Sequence, residues 1–471
     1  MGDSVLQKII KNLLFVLGSQ FLILIISITR SMILPAFFSM ESYGYWQIYL
    51  FYSAYIGICT FGFNDGIYLR YGDKDYHELP FVKLRMSILI FSLMLLVLTI
   101  LIGFLTYSFN TNGDMRYALI FSCFNIFVLG LSGFFTYVLQ ITNQLKKYSF
   151  FSVVDKALVI VTVVLMVFCN NDNFKLIIVI DFLAKILVLG AMMYSCKELL
   201  IGKYGSVPIA INEVKKNIGV GVKLLIANFL GMVIIGIGRF LIQIFSKIED
   251  FATYSFGITI TGLILTAITA FSLVLYPSIK RLDKKNYDKY FQSINTFVVA
   301  FNFASLSLYF PTYWIVTFCY SKYTDMLPYL NLLFIVAILQ GKMSILNNTF
   351  YKVLRKEKVM LIENVSAVLF FLIFATIVLY FTKSIWSIAF ITCTTIMIRC
   401  YASELYLKKL LKLKLDYKLV IEICFIIIFI ITTNLINLKF GYLIYLLFLS
   451  VWISINISEL RKTAQILKSK L

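Results

Sequence analysis

Apolar runs recur from one end of the chain to the other, separated by short gaps rich in Lys, Asp, Asn and Gly. About twenty apolar residues wound as a helix cross the ~30 Å hydrocarbon layer of a bilayer. The pattern therefore predicts transmembrane helices at about 12–38, 43–65, 81–108, 117–141, 149–169, 174–196, 218–246, 251–276, 291–317, 328–350, 359–381, 384–405, 419–437 and 440–458. The gaps are too short to hold a separate soluble domain. The predicted fold class is an all-α polytopic membrane protein of about fourteen spans. The first stretch carries Arg30 and is followed by no small-residue cleavage site, so it is expected to stay as an anchor.

Charge placement orients this map. With the N-terminus inside, the inner segments hold thirty Lys and Arg, among them Lys146, Lys147, Lys215, Lys216, Lys284, Lys285, Lys408 and Lys409. The outer gaps hold six: Arg116, Lys175, Lys247, Lys322, Lys383 and Lys439. Cytoplasmic loops of membrane proteins carry the basic excess, so both termini are predicted to be cytoplasmic.

Shifting the first half by about 209 residues lays its inner loops over those of the second half. Arg30 maps onto Arg239 and Ser19 onto Asn228. Each half thus opens with a polar residue and an arginine eleven positions later, close to three turns along one helix face. Six spans per half is an even number, so the repeat is parallel, about an axis along the membrane normal. The expected organisation is an N-lobe at 1–196, a cytoplasmic linker at 197–217, a C-lobe at 218–405 and a basic cytoplasmic loop at 406–418. Residues 419–471 form an appended helix pair with a cytoplasmic tail.

Composition agrees with a membrane protein and removes other classes. Of the 471 residues 61% are hydrophobic and 14% charged, against roughly 25% charged in a soluble domain. The net charge of +20 is accounted for by the inner loops and implies no nucleic-acid partner. The eight cysteines lie in or beside apolar runs without metal-like spacing, and the lone His77 has no Cys or His partner. No metal or cofactor is expected. Neither a GxxxxGK[ST] loop nor a GxSxG or HExxH signature is present, so the chain reads as a secondary transporter and not an enzyme.

Ionisable residues inside spans are costly, at least ~2.5–3.5 kcal/mol each on insertion scales, and are functional candidates. Lys156, Lys223 and Arg399 stand nearer the cytoplasmic ends and are expected to snorkel. Lys185 has Asp181 one turn away, a pair that is either structural or part of a site. Arg30 and Arg239 lie deep, at matching places, with no acid three or four residues away. Each either pairs with an acid from another helix or lines a wet cleft and binds an anion, a role suited to a bidentate guanidinium. The acids near the membrane, Asp65, Asp155, Asp181, Glu363, Glu404 and Glu422, fall mostly at cytoplasmic ends, which predicts a deep interior more cationic than anionic. Tyrosines such as Tyr45, Tyr52, Tyr55 and Tyr254 are either interfacial or suited to sugar faces.

Three stretches carry a resemblance. They are Gly62-Phe63-Asn64-Asp65-Gly66 through Arg70-Tyr71, then Gln140 and Gln144 before Lys146-Lys147-Tyr148, and then Arg239-Phe240 with Thr253-Tyr254-Ser255 and Tyr276-Pro277. In order and setting the chain resembles the polysaccharide transporter, O-antigen (Wzx-type) flippase branch of the multidrug/oligosaccharidyl-lipid/polysaccharide (MOP) exporter superfamily, from about residue 8 to 458. The resemblance implies alternating-access flipping of an undecaprenyl-diphosphate-linked oligosaccharide across the bacterial cytoplasmic (inner) membrane. It further implies a coupling ion, H+ or Na+, or the membrane potential, and a polysaccharide polymerase and chain-length regulator as partners. On this reading Arg30, Arg239, Lys185, Lys342 and Asn228 bind the diphosphate and sugar, while Asp65 and Arg70 serve the intracellular gate. The alternatives are an ion-coupled multidrug exporter, a peptidoglycan-precursor flippase, and a non-transport membrane enzyme or scaffold of the polysaccharide pathway.

Overall fold

The computed structural model describes the backbone of residues 2–72, 74–109, 112–280, 287–382, 384–413 and 417–470, and the side chains of 18–72, 74–109, 112–226, 229–266, 287–382, 384–413 and 418–461. Lipid offers no hydrogen-bond partner, so spanning segments must satisfy their own N–H and C=O groups, as helices do. About 90% of the described residues are helical and none of them is in a strand. Ten helices are long and apolar enough to cross a membrane, eleven if the bent pair Val207–Ile226 and Phe229–Phe245 is one span. That count covers the described residues only.

The chain divides into two compact units, Met1–Phe229 and Leu230–Leu471. The predicted linker at 197–217 and the opening of the seventh stretch therefore lie within the first unit, beyond the expected N-lobe boundary at 196. The first unit runs α1 (Gly2–Phe37), α2 (Met40–Ala54), α3 (Phe63–Tyr71), α4 (Phe81–Phe109), α5 (Gly113–Ile141), α6 (Leu145–Phe168), α7 (Phe174–Ser195) and the first part of α8 (Val207–Phe245). After the rest of α8 the second runs α9 (Ile248–Lys280), α10 (Tyr287–Ser307), α11 (Tyr309–Cys319), α12 (Leu327–Lys342), α13 (Asn348–Val353), α14 (Glu357–Thr382), α15 (Ile385–Leu410), α16 (Tyr417–Asn434) and α17 (Leu438–Lys470).

The element order repeats at the predicted shift of about 209 residues. It lays α4 over α10 and α11, α5 over α12 and α13, α6 over α14, and α7 over α15. In each unit one of these helices is central. Helix α5 touches α2, α3, α4, α6 and α7, while α12 touches α9, α10, α15 and α16 and is buried on nearly every side. Helices α4 and α14 show the opposite pattern, with Val97, Ile100, Phe104, Leu369 and Ile373 more than half exposed, as lipid-facing helices require.

Three predicted spans are interrupted. The stretch at 43–65 is not one helix. It is α2, a 3₁₀ turn at Ile56–Thr60, and α3, separated where Phe61 and Gly62 take left-handed φ of 49° and 82°. The stretch at 291–317 breaks at Leu308, between α10 and α11. Pro311 has no N–H to return to the Ser307 carbonyl, so the α-ladder cannot continue. The stretch at 328–350 passes through a π turn at Met343–Asn347, directly after Lys342. The basic loop at 281–286 lies outside the described residues.

Candidate functional site

In the first unit a buried polar network forms where α2, α5 and α7 meet. The Tyr49 hydroxyl donates to Asp181 Oδ2 at 2.5 Å. Lys185, one turn further along α7, pairs with the same carboxylate and donates to Tyr49 Oη at 3.1 Å. Asn125 on α5 donates to both Tyr49 Oη and Ser53 Oγ at 2.9 Å. Asp181 and Lys185 are both buried, so the predicted one-turn pair is present and its charges cancel in place. Arg30 on α1 is half-buried, makes no ion pair among the described residues, and lies within electrostatic reach of Asp181.

The predicted gate residues stand on α3, against the opening of α8. Arg70 donates to Glu213 Oε1 at 2.5 Å and also bonds Asn217 Oδ1. The Tyr71 hydroxyl donates to Glu213 Oε1 at 2.6 Å; burial, and then the Glu213 carboxylate, push that hydroxyl above its ordinary range. Glycine makes this approach possible. A Cβ on Gly62 would lie 2.5 Å from the Val222 nitrogen, and one on Gly66 or Gly221 would collide with the backbone of Asn217 or Gly62. Small residues that bring two helix backbones together are the usual device inside membranes. Asp65 is buried beside the Tyr137 hydroxyl, one turn before Arg70's end of α3.

The second unit is not dominated by cations in its interior, and here the structure corrects the expectation. Lys342 Nζ lies 2.7 Å from Glu404 Oε2 and also pairs with Glu422, all three side chains being almost wholly buried. Lys408 contacts Glu404 Oε1 at 2.8 Å and Asn295 donates to the same oxygen at 3.1 Å. Two lysines and two glutamates from α12, α15 and α16 thus neutralise one another. Lys342 is placed by helix α12 into this cluster, not into open space.

Arg239 on α8 donates to Ser255 Oγ at 3.0 Å and sits 5.3 Å from the Phe251 ring centroid. The side chain of Asn228 lies outside the described residues. Lys156 pairs with Asp155 at the surface and Lys223 is exposed, but Arg399 does not snorkel: it is 4% exposed. The expectation judged its distance from the helix end, whereas the face of α15 it occupies points into the bundle. Tyr45 and Tyr254 are also buried, packed on Phe174 and Tyr329, so neither presents a free ring to a sugar. Sequence reasoning missed Tyr49, Asn125, Glu213 and Asn217. Each is a polar residue on a buried face, a signal that the 3.6-residue period carries once the helix's apolar face is assigned.

No family model and no curated protein matches the sequence. Solved structures do match. The lipid II flippase MurJ, in an inward-closed conformation, superposes with a TM-score of 0.67 over 96% of this chain and 100% of its own, at 16% identity. An outward-facing MATE family transporter of the MOP superfamily gives 0.57 over 84% of this chain and 94% of its own, at 13% identity. The chain has a MOP-transporter fold. The Vibrio cholerae MATE transporter VcmN, as a point mutant, gives 0.53 over 87% of this chain and 98% of its own, at 14% identity.

Proposed function

We propose that this chain is a flippase that carries an undecaprenyl-diphosphate-linked oligosaccharide from the cytoplasmic to the outer leaflet of a bacterial inner membrane, by alternating access. The observation that carries the reading is the likeness to a lipid II flippase over 96% of the chain. The substrate class follows from charge. An anionic diphosphate needs cations within the membrane, and Arg30 is half-buried without an ion pair among the described residues. Arg239, at the matching place in the second unit, supplies the second guanidinium on this proposal, with the polyprenyl chain in lipid. Asn228 belongs to the same proposed site. Lys185 and Lys342 contribute to it only after leaving their carboxylate partners.

Asp65 and Arg70 serve the proposed cytoplasmic gate. Helix α3 meets the opening of α8 through Gly62, Gly66 and Gly221, and Arg70 and Tyr71 latch it through Glu213. With both termini cytoplasmic, this latch faces the side from which the substrate enters. The membrane potential, worth ~2.3 kcal/mol per charge per 100 mV, is sufficient to bias movement of an anionic headgroup, and H+ or Na+ coupling is the other source.

Cation export is the second reading, favoured by the MATE likeness and by one buried acid, Asp181. That acid already holds Lys185 and Tyr49, which weighs against its service to a cationic drug. Gene deletion separates the two. Loss of surface polymer, with the lipid-linked intermediate collecting on the cytoplasmic side, supports the flippase; normal polymer with raised sensitivity to cationic drugs supports the exporter.

A further inference from the structure

Arg399 on α15 is a buried charge without an ion pair among the described residues. The guanidinium is buried within the bundle, yet its Nε and Nη1 donors meet no acceptor among the described residues. Thr395, one turn earlier on the same face of α15, is buried at 1% and its Oγ1 also has no partner among the described residues. The acid within electrostatic reach is Glu363 on α14. Its two oxygens are taken up instead by the Tyr351 hydroxyl at 2.6 Å and by Ser403 Oγ at 2.5 Å, Ser403 being one turn beyond Arg399. Cys400 on α15 and Tyr351 on α13 are the other titratable groups facing the guanidinium, and Tyr406 stands beyond Tyr351. Glu363 thus offsets the arginine's charge from a distance and spends none of its hydrogen bonds.

A buried donor left without an acceptor costs about 1–3 kcal/mol, and more when it is charged. Such an arrangement is stable only if the positive charge is compensated, and Glu363 does that. It also leaves free the N–H groups that grip an oxyanion. Three donors on one helix face, two from a guanidinium and one from a hydroxyl, match the oxygens of a phosphate group, and arginine retains its charge at any working pH.

We propose that Arg399 and Thr395 form an oxyanion site of phosphate class in the second unit, with Glu363 as a nearby counter-charge. The carboxylate, held by Tyr351 and Ser403, balances the guanidinium's charge and leaves its N–H groups to a phosphate oxygen. Binding and the Glu363 charge then oppose one another, so neutralising Glu363 strengthens binding and removing Arg399 weakens it. The shared chemistry belongs either to a lipid diphosphate headgroup or to free phosphate. The inference does not rest on the flippase reading, because binding is measured on the purified chain.

The test is a titration of the full-length protein in nanodiscs of neutral lipid with inorganic pyrophosphate, followed by calorimetry. Arg399→Gln is expected to weaken binding at least about tenfold, and Glu363→Gln to tighten it by about tenfold, as removal of one nearby like charge implies. A gain of affinity cannot come from a misfolded variant. Repeating both titrations in an Arg30→Ala/Arg239→Ala background reads this site apart from the one proposed above. Competition between pyrophosphate and a polyprenyl diphosphate placed in the nanodisc assigns the site to a lipid headgroup; pyrophosphate binding without competition assigns it to free phosphate. If Arg399→Gln and Glu363→Gln both bind pyrophosphate as the unaltered chain does, the proposal is overturned and the pair is an internal charge balance.

Discussion

Lys342 Nζ stands 2.7 Å from Glu404 Oε2 on a neighbouring helix, and neither side chain has any exposed surface. A charge in that position is tolerated only because its partners are fixed. Removing one member strands the others, which typically costs about 3–5 kcal/mol. Lys342→Ala is therefore expected to lower the thermal unfolding midpoint of the purified protein sharply. The double variant Lys342→Met/Glu422→Gln is expected to recover much of that loss, since it leaves Glu404 paired with Lys408. A double variant no more stable than the single one would show that packing around the π turn, not charge balance, sets the cost.

The Asp181–Lys185 pair allows the same logic with a functional readout. Asp181→Asn and Lys185→Met are each expected to destabilise the first unit, and the double variant less than the sum of the two, with a coupling of about 0.5–3 kcal/mol. On the cation-exporter reading Asp181→Asn alone abolishes drug export while the double variant stays inactive. On the flippase reading, surface polymer follows stability and returns in the double variant. Labelling polymer in the three strains separates these outcomes.

How much of this was readable beforehand depends on the length scale of each feature. The spans and their order are written in long apolar runs, and the pairing of Lys185 with Asp181 is legible because four residues apart on a helix are neighbours in space. Lys342, Glu404 and Glu422 come from three different helices, so no local spacing links them, and the interior was expected to be cationic. The break at Phe61 and Gly62 was hidden for a different reason. Gly62 faces the backbone of Gly221 and Val222, far along the chain, which leaves no room for a Cβ there. For Arg399 the position along α15 points to the cytoplasmic end, but the face it occupies decides its burial.

Arg30 and Arg239 are expected to be required for transport. Each Arg→Ala variant, present at normal level, is expected to reduce surface polymer by roughly 10- to 100-fold, the equivalent of losing one charge-assisted contact of about 1.5–3 kcal/mol. Arg→Lys is expected to restore part of it, because the charge returns without the bidentate fork. Unchanged polymer in both alanine strains would remove the diphosphate from the proposed site.

The glycine seam between α3 and the opening of α8 makes the gate testable without touching a charge. Gly66→Ala places a methyl group into the backbone of Asn217, and overpacking of this kind costs about 1–3 kcal/mol. It is expected to push α3 away from α8, break the Arg70–Glu213 latch and leave the cytoplasmic side open. A single cysteine introduced at Asn217 is then expected to react faster with a membrane-impermeant thiol reagent added to inside-out vesicles than the same cysteine in the Gly66 parent, with surface polymer reduced. Glu213→Gln, which keeps the seam but weakens the latch, is expected to give the same change in smaller degree. If Gly66→Ala slows labelling, the seam closes more tightly on strain, and α3 is a rigid strut instead of a gate. Asp65→Asn sharpens the comparison. Its carboxylate lies beside Tyr137 and not at the seam, so on the gate proposal it alters transport while the reactivity at Asn217 changes less than in Gly66→Ala.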